Sequence, residues 1–170
     1  YEPDYFEQCV RLLQTSGAAN VGGCQRAAGE THWGKAIAVA TTHPFGTGDA
    51  KFRYSDKEEW VDTVYLGSWK RSTLNDLGGF NEEWVVNQDY ELNIRTRERG
   101  GRILLSPKIR CTYYVRPSLK SYVRQYYRYG CWRIKTIRMH PQSLRVRQVI
   151  PPAFVAAILI SAMLILAGSS

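Results

Sequence analysis

Residues 78–101 read Gly-Gly-Phe-Asn-Glu-Glu-Trp-Val-Val-Asn-Gln-Asp-Tyr-Glu-Leu-Asn-Ile-Arg-Thr-Arg-Glu-Arg-Gly-Gly, a helix held between two glycine pairs. Gly78 and Gly79 form a turn that ends what precedes them. Asn87 is expected as the N-cap, Gln88 and Asp89 fall in the first turn, and Gly100 is the expected C-cap. The helix macrodipole favours a first-turn carboxylate as the anion. Asp89 is therefore expected to be ionised near neutral pH and able to take a proton from a hydroxyl group. The same position also suits a carboxylate that only steadies the helix, so the flanking sequence has to decide.

Working outward, residues 71–77 read as a helix stopped by Gly78, and residues 61–65 as a strand ending at Gly67. Beyond the Asp89 helix come two extended segments, 102–105 and 109–115, with Pro107 between them. Nearer the start, Pro3 at a helix entrance, apolar Phe6, Val10 and Leu13, and Gly17 as a stop give a short amphipathic helix. Residues 20–24 form a buried strand with close packing at Gly22 and Gly23, and residues 31–40 a helix of small side chains. Residues 43–56 are a loop with Gly46 and Gly48, either a surface turn or a substrate-facing segment. Mixed helices and short strands place the chain in the α/β class.

The net charge of +8 is unevenly spread. Residues 1–98 hold all 15 acidic side chains against 10 basic ones, while Arg99 onward holds 13 basic and no acidic side chains. Such asymmetry points to a polyanionic partner, nucleic acid or an anionic membrane surface. Residues 149–167 are 19 in a row without a charge, close to the roughly 20 a membrane-spanning helix needs. Seven basic residues lie between Arg124 and Arg147, which makes that flank cytoplasmic. Pro151 and Pro152 are expected at the helix entrance. A nucleic-acid-binding domain would instead require the apolar run to be a buried core helix. The expected partner is thus the membrane surface, with no nucleic acid.

Residues 118–139 make a second informative helix. Leu119, Tyr122, Tyr126 and Tyr129 follow helical spacing, Trp132 and Ile137 extend the face, and Arg124, Arg128, Arg133, Lys135 and Arg138 add charge. A core helix with snorkelling arginines would carry this pattern, but the uncharged span that follows favours a helix lying in the headgroup region. Cys9, Cys24, Cys111 and Cys131 are single and His32, His43 and His140 are scattered, so neither a disulfide framework nor a metal cluster is indicated.

Three blocks in order carry a resemblance. They are 61–80, with Val-Asp-Thr-Val-Tyr-Leu-Gly-Ser-Trp-Lys-Arg and Gly-Gly-Phe; 87–91, with Asn-Gln-Asp-Tyr-Glu; and 125–130, with Gln-Tyr-Tyr-Arg-Tyr-Gly. Together they resemble the C-terminal half of the family 2 glycosyltransferases, most of all the bacterial exopolysaccharide (succinoglycan-type) glucosyltransferases, over about residues 1–140. The resemblance implies a GT-A fold in three parts: catalytic domain 1–117, basic interfacial helix and linker 118–148, and transmembrane helix 149–170. It puts Asp89 at the general base. Gln125, Arg128 and Tyr129 match the Gln-x-x-Arg-Trp block that meets donor and diphosphate, with tyrosine in place of tryptophan. Gly67, Ser68 and Arg71 match the segment beneath the acceptor sugar, and Trp132 offers a further stacking face.

The family also uses a divalent metal, Mg2+ or Mn2+, held by an Asp-x-Asp motif. That motif is expected upstream of Tyr1, so no metal ligand is assigned here, and on the order of 100 further residues would precede the chain. The expected activity is transfer of a hexose such as glucose from a nucleotide-sugar donor to a saccharide or lipid-linked acceptor, at the cytoplasmic face of the inner (plasma) membrane. The isolated piece would be inactive. A membrane-anchored carbohydrate-binding module without catalysis is the alternative.

Overall fold

The computed structural model describes residues 1–168. Helix α1 (Tyr5–Thr15) leads into strand β1 (Asn20–Ala28), helix α2 (His32–Thr42) and the single turn α3 (Pro44–Thr47). Short strands β2 (Glu59–Val61) and β3 (Tyr65–Trp69) precede helices α4 (Arg71–Leu77) and α5 (Gln88–Glu98). Strand β4 (Ile103–Tyr114) and helices α6 (Leu119–Met139) and α7 (Val146–Gly168) follow.

The sheet has four strands in the order β2-β4-β1-β3. The central pair, β1 and β4, is parallel, and each edge strand is antiparallel to its neighbour. Central strands covered on both faces need apolar side chains on both, and Ile103, Leu104 and Leu105 run consecutively and buried through β4. On one face α1 lays Tyr5, Cys9, Leu12 and Leu13 against Val21, Leu104, Ile109 and Cys111. A second cluster joins Cys24, Val64, Ile103 and Leu105. The four cysteines are free, and Cys131 is the exposed one.

Three expectations are corrected. Residues 61–65 are not one strand: Val61 ends β2 and Tyr65 begins β3, on opposite edges of the sheet. The residues between cross the sheet, with Thr63 and Val64 buried beneath the chain, and the β-branched and aromatic content of 61–65 (Val61, Thr63, Val64, Tyr65) mimics a strand. Gly67 accordingly lies inside β3, where the Asn20 side chain occupies the space of a Cβ. Second, the segments around Pro107 belong to a single strand. The register against β1 jumps between Gly23 and Cys24, from Ser106 to Arg110, so Pro107 sits in a bulge where its missing amide costs no ladder bond. Gly23 is required opposite it, because a Cβ there would collide with the Ile109 carbonyl. Third, α7 starts at Val146, which puts Pro151 and Pro152 inside the helix rather than at its entrance.

None of the described residues of α7 is buried, and its mean hydropathy is 2.5 over the most apolar 18-residue window. It is not a core helix. A continuous apolar surface of this length calls for lipid.

A buried polar network fixes α5 to the sheet. Asn20 Nδ2 donates to Asn93 Oδ1 at 2.6 Å, and Asn93 Nδ2 donates to Thr63 Oγ1 at 2.9 Å. Asn93 thus ties the helix both to the first residue of β1 and to the crossing segment. Buried groups paired this way discriminate strongly against other registers.

Candidate active site around Asp89

The sheet and its amide network deliver the first turn of α5 to one place. Asn87 occupies the N-cap position, but in the left-handed region with φ of 65°, and its side chain makes no capping bond. Asparagine tolerates that conformation better than most residues. The capping role passes to Asp89, whose Oδ1 accepts the Tyr90 amide at 2.8 Å. At the other end Gly100 takes a left-handed φ of 78° just beyond the last turn, as a glycine closing a helix does.

Burial pushes the Asp89 carboxyl above the usual aspartate range, and this outweighs the lowering by the backbone amides and by the Arg133 charge. The expectation of an acid held low by the macrodipole is therefore corrected in sign. A carboxylate with a raised pKa is a stronger base, which suits proton abstraction near neutral pH.

Arg133 reaches this corner from α6. Its guanidinium lies over the Tyr90 ring, 3.8 Å from the centroid, and burial makes it easier to deprotonate than a free arginine. Its Nη1 is buried without a hydrogen-bond partner. Tyr90 is buried too, and its hydroxyl donates to the Ser143 carbonyl at 3.2 Å, which pins α5 to the junction of α6 and α7. Beyond Arg133 the charges alternate: Arg147 donates to Asp62 at 2.8 Å and to Asp49 at 2.5 Å. Asp62 and Arg147 both act on Arg133 through space.

The remaining predicted residues fall in two other places. Gln125 Nε2 donates to the hydroxyls of Tyr113 at 3.0 Å and Tyr129 at 2.8 Å. Tyr126 packs at a tilt between Tyr122 and Tyr129, at centroid distances of 4.4 and 5.7 Å. Arg128 points outward and makes no hydrogen bond or ion pair among the described residues. Gly67 and Ser68 lie in β3, and Arg71 is the exposed first residue of α4. Trp132, one residue before Arg133, packs on Trp84 with centroids 6.3 Å apart.

Two residues of this corner carry no motif signal: Arg133, which in sequence is one of several basic residues on α6, and Trp84. Tyr129, Trp132, Arg133 and Thr136 recur at i, i+3, i+4 and i+7, and that stripe marks the face of α6 turned to the domain. Read that way, Arg133 is the inward arginine and Arg128 an outward one.

No protein-family model matches the chain. No solved structure matches it either. Succinoglycan biosynthesis protein ExoA of Rhizobium meliloti (strain 1021) is 30% identical over 164 residues, covering 96% of this chain and 49% of that protein. A Methanococcus voltae protein, dolichyl N-acetyl-alpha-D-glucosaminyl phosphate 3-beta-D-2,3-diacetamido-2,3-dideoxy-beta-D-glucuronosyltransferase, is 26% identical over 113 residues, 66% of this chain and 35% of that one. The chain is a homologue of glycosyltransferases. These matches bear out the resemblance read from the three sequence blocks. The chain spans about half the length of the first relative and about a third of the second.

Proposed function

We propose that this chain is part of a membrane-associated, inverting family 2 glycosyltransferase of GT-A fold, working at the cytoplasmic face of the inner membrane. It moves a hexose such as glucose from a nucleotide-sugar donor to a hydroxyl of a polysaccharide or lipid-linked acceptor. The observation that carries this reading is the Asp89 carboxylate: half-buried in the first turn of α5, with its pKa raised, beside a guanidinium that has a donor to spare. In the proposed reaction Asp89 takes the proton of the acceptor hydroxyl. The oxygen then attacks the anomeric carbon from the face opposite the diphosphate, and the bond from that carbon to the diphosphate oxygen breaks.

Arg128 is proposed for the diphosphate, with Gln125 and Tyr129 shaping the donor side. Gly67, Ser68, Arg71 and Trp132 are proposed for the acceptor. The resemblance also implies Mg2+ or Mn2+. Among the described residues no group of three or more His, Cys, Asp or Glu side chains converges as an ion would need.

Two measurements test the reading. Measured on the full-length protein, the rate of transfer against pH should lose activity on the acid side at a pH above the ordinary aspartate value, because the base must be ionised to act. Arg133 holds the pKa of Asp89 down, so Arg133→Met should carry that acid limb to still higher pH. A limb that stays put separates Arg133 from the base. Membrane fractions give the second: the protein should stay with the pellet after a high-salt wash and leave it when residues 146–168 are deleted. Release of the intact protein by salt would point to electrostatic attachment instead.

A further inference from the structure

Beside the first residues of α7 lies a cleft of about 410 Å³ whose walls include Lys51, Trp60, Asp62, Arg97, Arg102 and Arg145. The reaction proposed above leaves it unused. Its carboxylates are already matched, since Asp62 and Asp49 both accept from Arg147. Lys51 is paired with Glu59. Three guanidinium groups remain. Arg97 and Arg102 have no ion-pair partner among the described residues, and Arg145 Nε stops 3.8 Å from Asp62, outside hydrogen-bond reach.

These arginines are not merely solvated surface charge. The Nε atoms of Arg97 and Arg145 are both shut off from water and have no acceptor. A charged donor left in that condition is costly until an anion completes it. Arg102 is held in place by Trp60, whose ring centroid lies 3.6 Å from the guanidinium carbon. Several guanidinium forks around one space suit the oxygens of a phosphate group.

Position selects the kind of phosphate. Arg145 immediately precedes Val146, the first residue of the exposed apolar helix. A cleft at the foot of a membrane span stands at the depth of lipid phosphates. We infer that this cleft binds the phosphate of a membrane lipid, whose chains run beside α7. This rests on α7 entering a bilayer and not on the role of Asp89. The lipid is either bulk anionic phospholipid or an isoprenoid carrying a diphosphate.

The test uses the complete chain in detergent, with lipid retention read by native mass spectrometry. Phosphatidylglycerol, phosphatidylcholine, farnesyl diphosphate and inorganic diphosphate are the probes. Phosphatidylglycerol or farnesyl diphosphate should be retained over phosphatidylcholine, and Arg97→Gln or Arg145→Gln should weaken retention about tenfold. Arg102→Gln, at an exposed strand end, gives a variant with little risk to folding and should weaken it as well. The exposed Arg116→Gln should not. Preference for farnesyl diphosphate supports an isoprenoid-linked ligand, and equal retention of the two supports the bulk headgroup. Inorganic diphosphate bound as tightly as either lipid overturns the lipid assignment. Retention that none of the three cleft variants reduces overturns the site.

Discussion

Asp89→Asn should cut the rate of transfer by about 10²–10⁴-fold, the usual worth of a positioned base, while donor affinity stays nearly intact. Asparagine keeps the shape of the side chain and an Oδ1 that can accept the Tyr90 amide, so the first turn of α5 keeps its capping bond. It loses the proton-accepting capacity alone. Stability should move in the opposite direction to activity. The folded-state pKa of Asp89 is raised, so the folded form holds its proton more tightly than the unfolded form does. Below the ordinary aspartate value both forms are protonated and the group costs nothing. As pH rises through that value toward the raised one the unfolded chain ionises first, and stability falls to a lower plateau that persists at neutral pH. The asparagine variant escapes this loss. Its thermal midpoint should equal or exceed that of the parent at pH 7 and converge with it in acid. A variant that keeps more than about a tenth of the rate would remove Asp89 from the role of base.

Local punctuation was readable where it agrees with the tertiary structure. Helix α4 runs from Arg71 to Leu77, as the glycine stop at Gly78 indicates, and Gly78 takes a left-handed φ of 80°. Helix α5 and the start of β1 follow equally from their sequence signals. Failures came where a long-range partner overrides the local signal. Thr63 and Val64 have the β-branched chemistry of a strand, yet they are held beneath the sheet by Asn93 and by the cluster around Cys24. Asn87 has the chemistry of an N-cap, but its left-handed backbone turns that side chain away and leaves the amides to Asp89. The pKa of Asp89 departs from its local signal for a related reason: the helix end is visible in sequence, whereas the burial that outweighs it comes from packing. For the site, the motif block at residues 125–130 drew attention to Arg128, while the arginine beside Asp89 lies one turn and a half further along α6. Its place follows from which face of α6 meets Trp84 and Tyr90, a matter of tertiary contact rather than motif.

Trp84→Ala should destabilise the fold by about 3–5 kcal/mol, the range for removing a buried aromatic ring. Trp84 is the largest of the fully buried side chains. It sits in the loop ahead of α5, packs at a tilt against Trp132, and carries Lys135 over its ring at 4.3 Å. Its Nε1 donates to the hydroxyl of Thr136 at 3.4 Å, and Thr136 is itself wholly buried. The ring therefore fastens α6 to the body of the domain one residue from Arg133. Removing it loosens both effects that α6 exerts on Asp89, and these have opposite signs. Loss of the Arg133 charge would raise the pKa of the base, and entry of water would lower it. Burial is the larger influence, so the acid limb of transfer should move to lower pH, opposite to the shift expected for Arg133→Met. Trp84→Phe separates packing from hydrogen bonding: it should cost about 1 kcal/mol and leave the limb near its original place. An alanine variant that melts normally, or one whose limb moves with that of Arg133→Met, would break the proposed link between the Trp84 seam and the base.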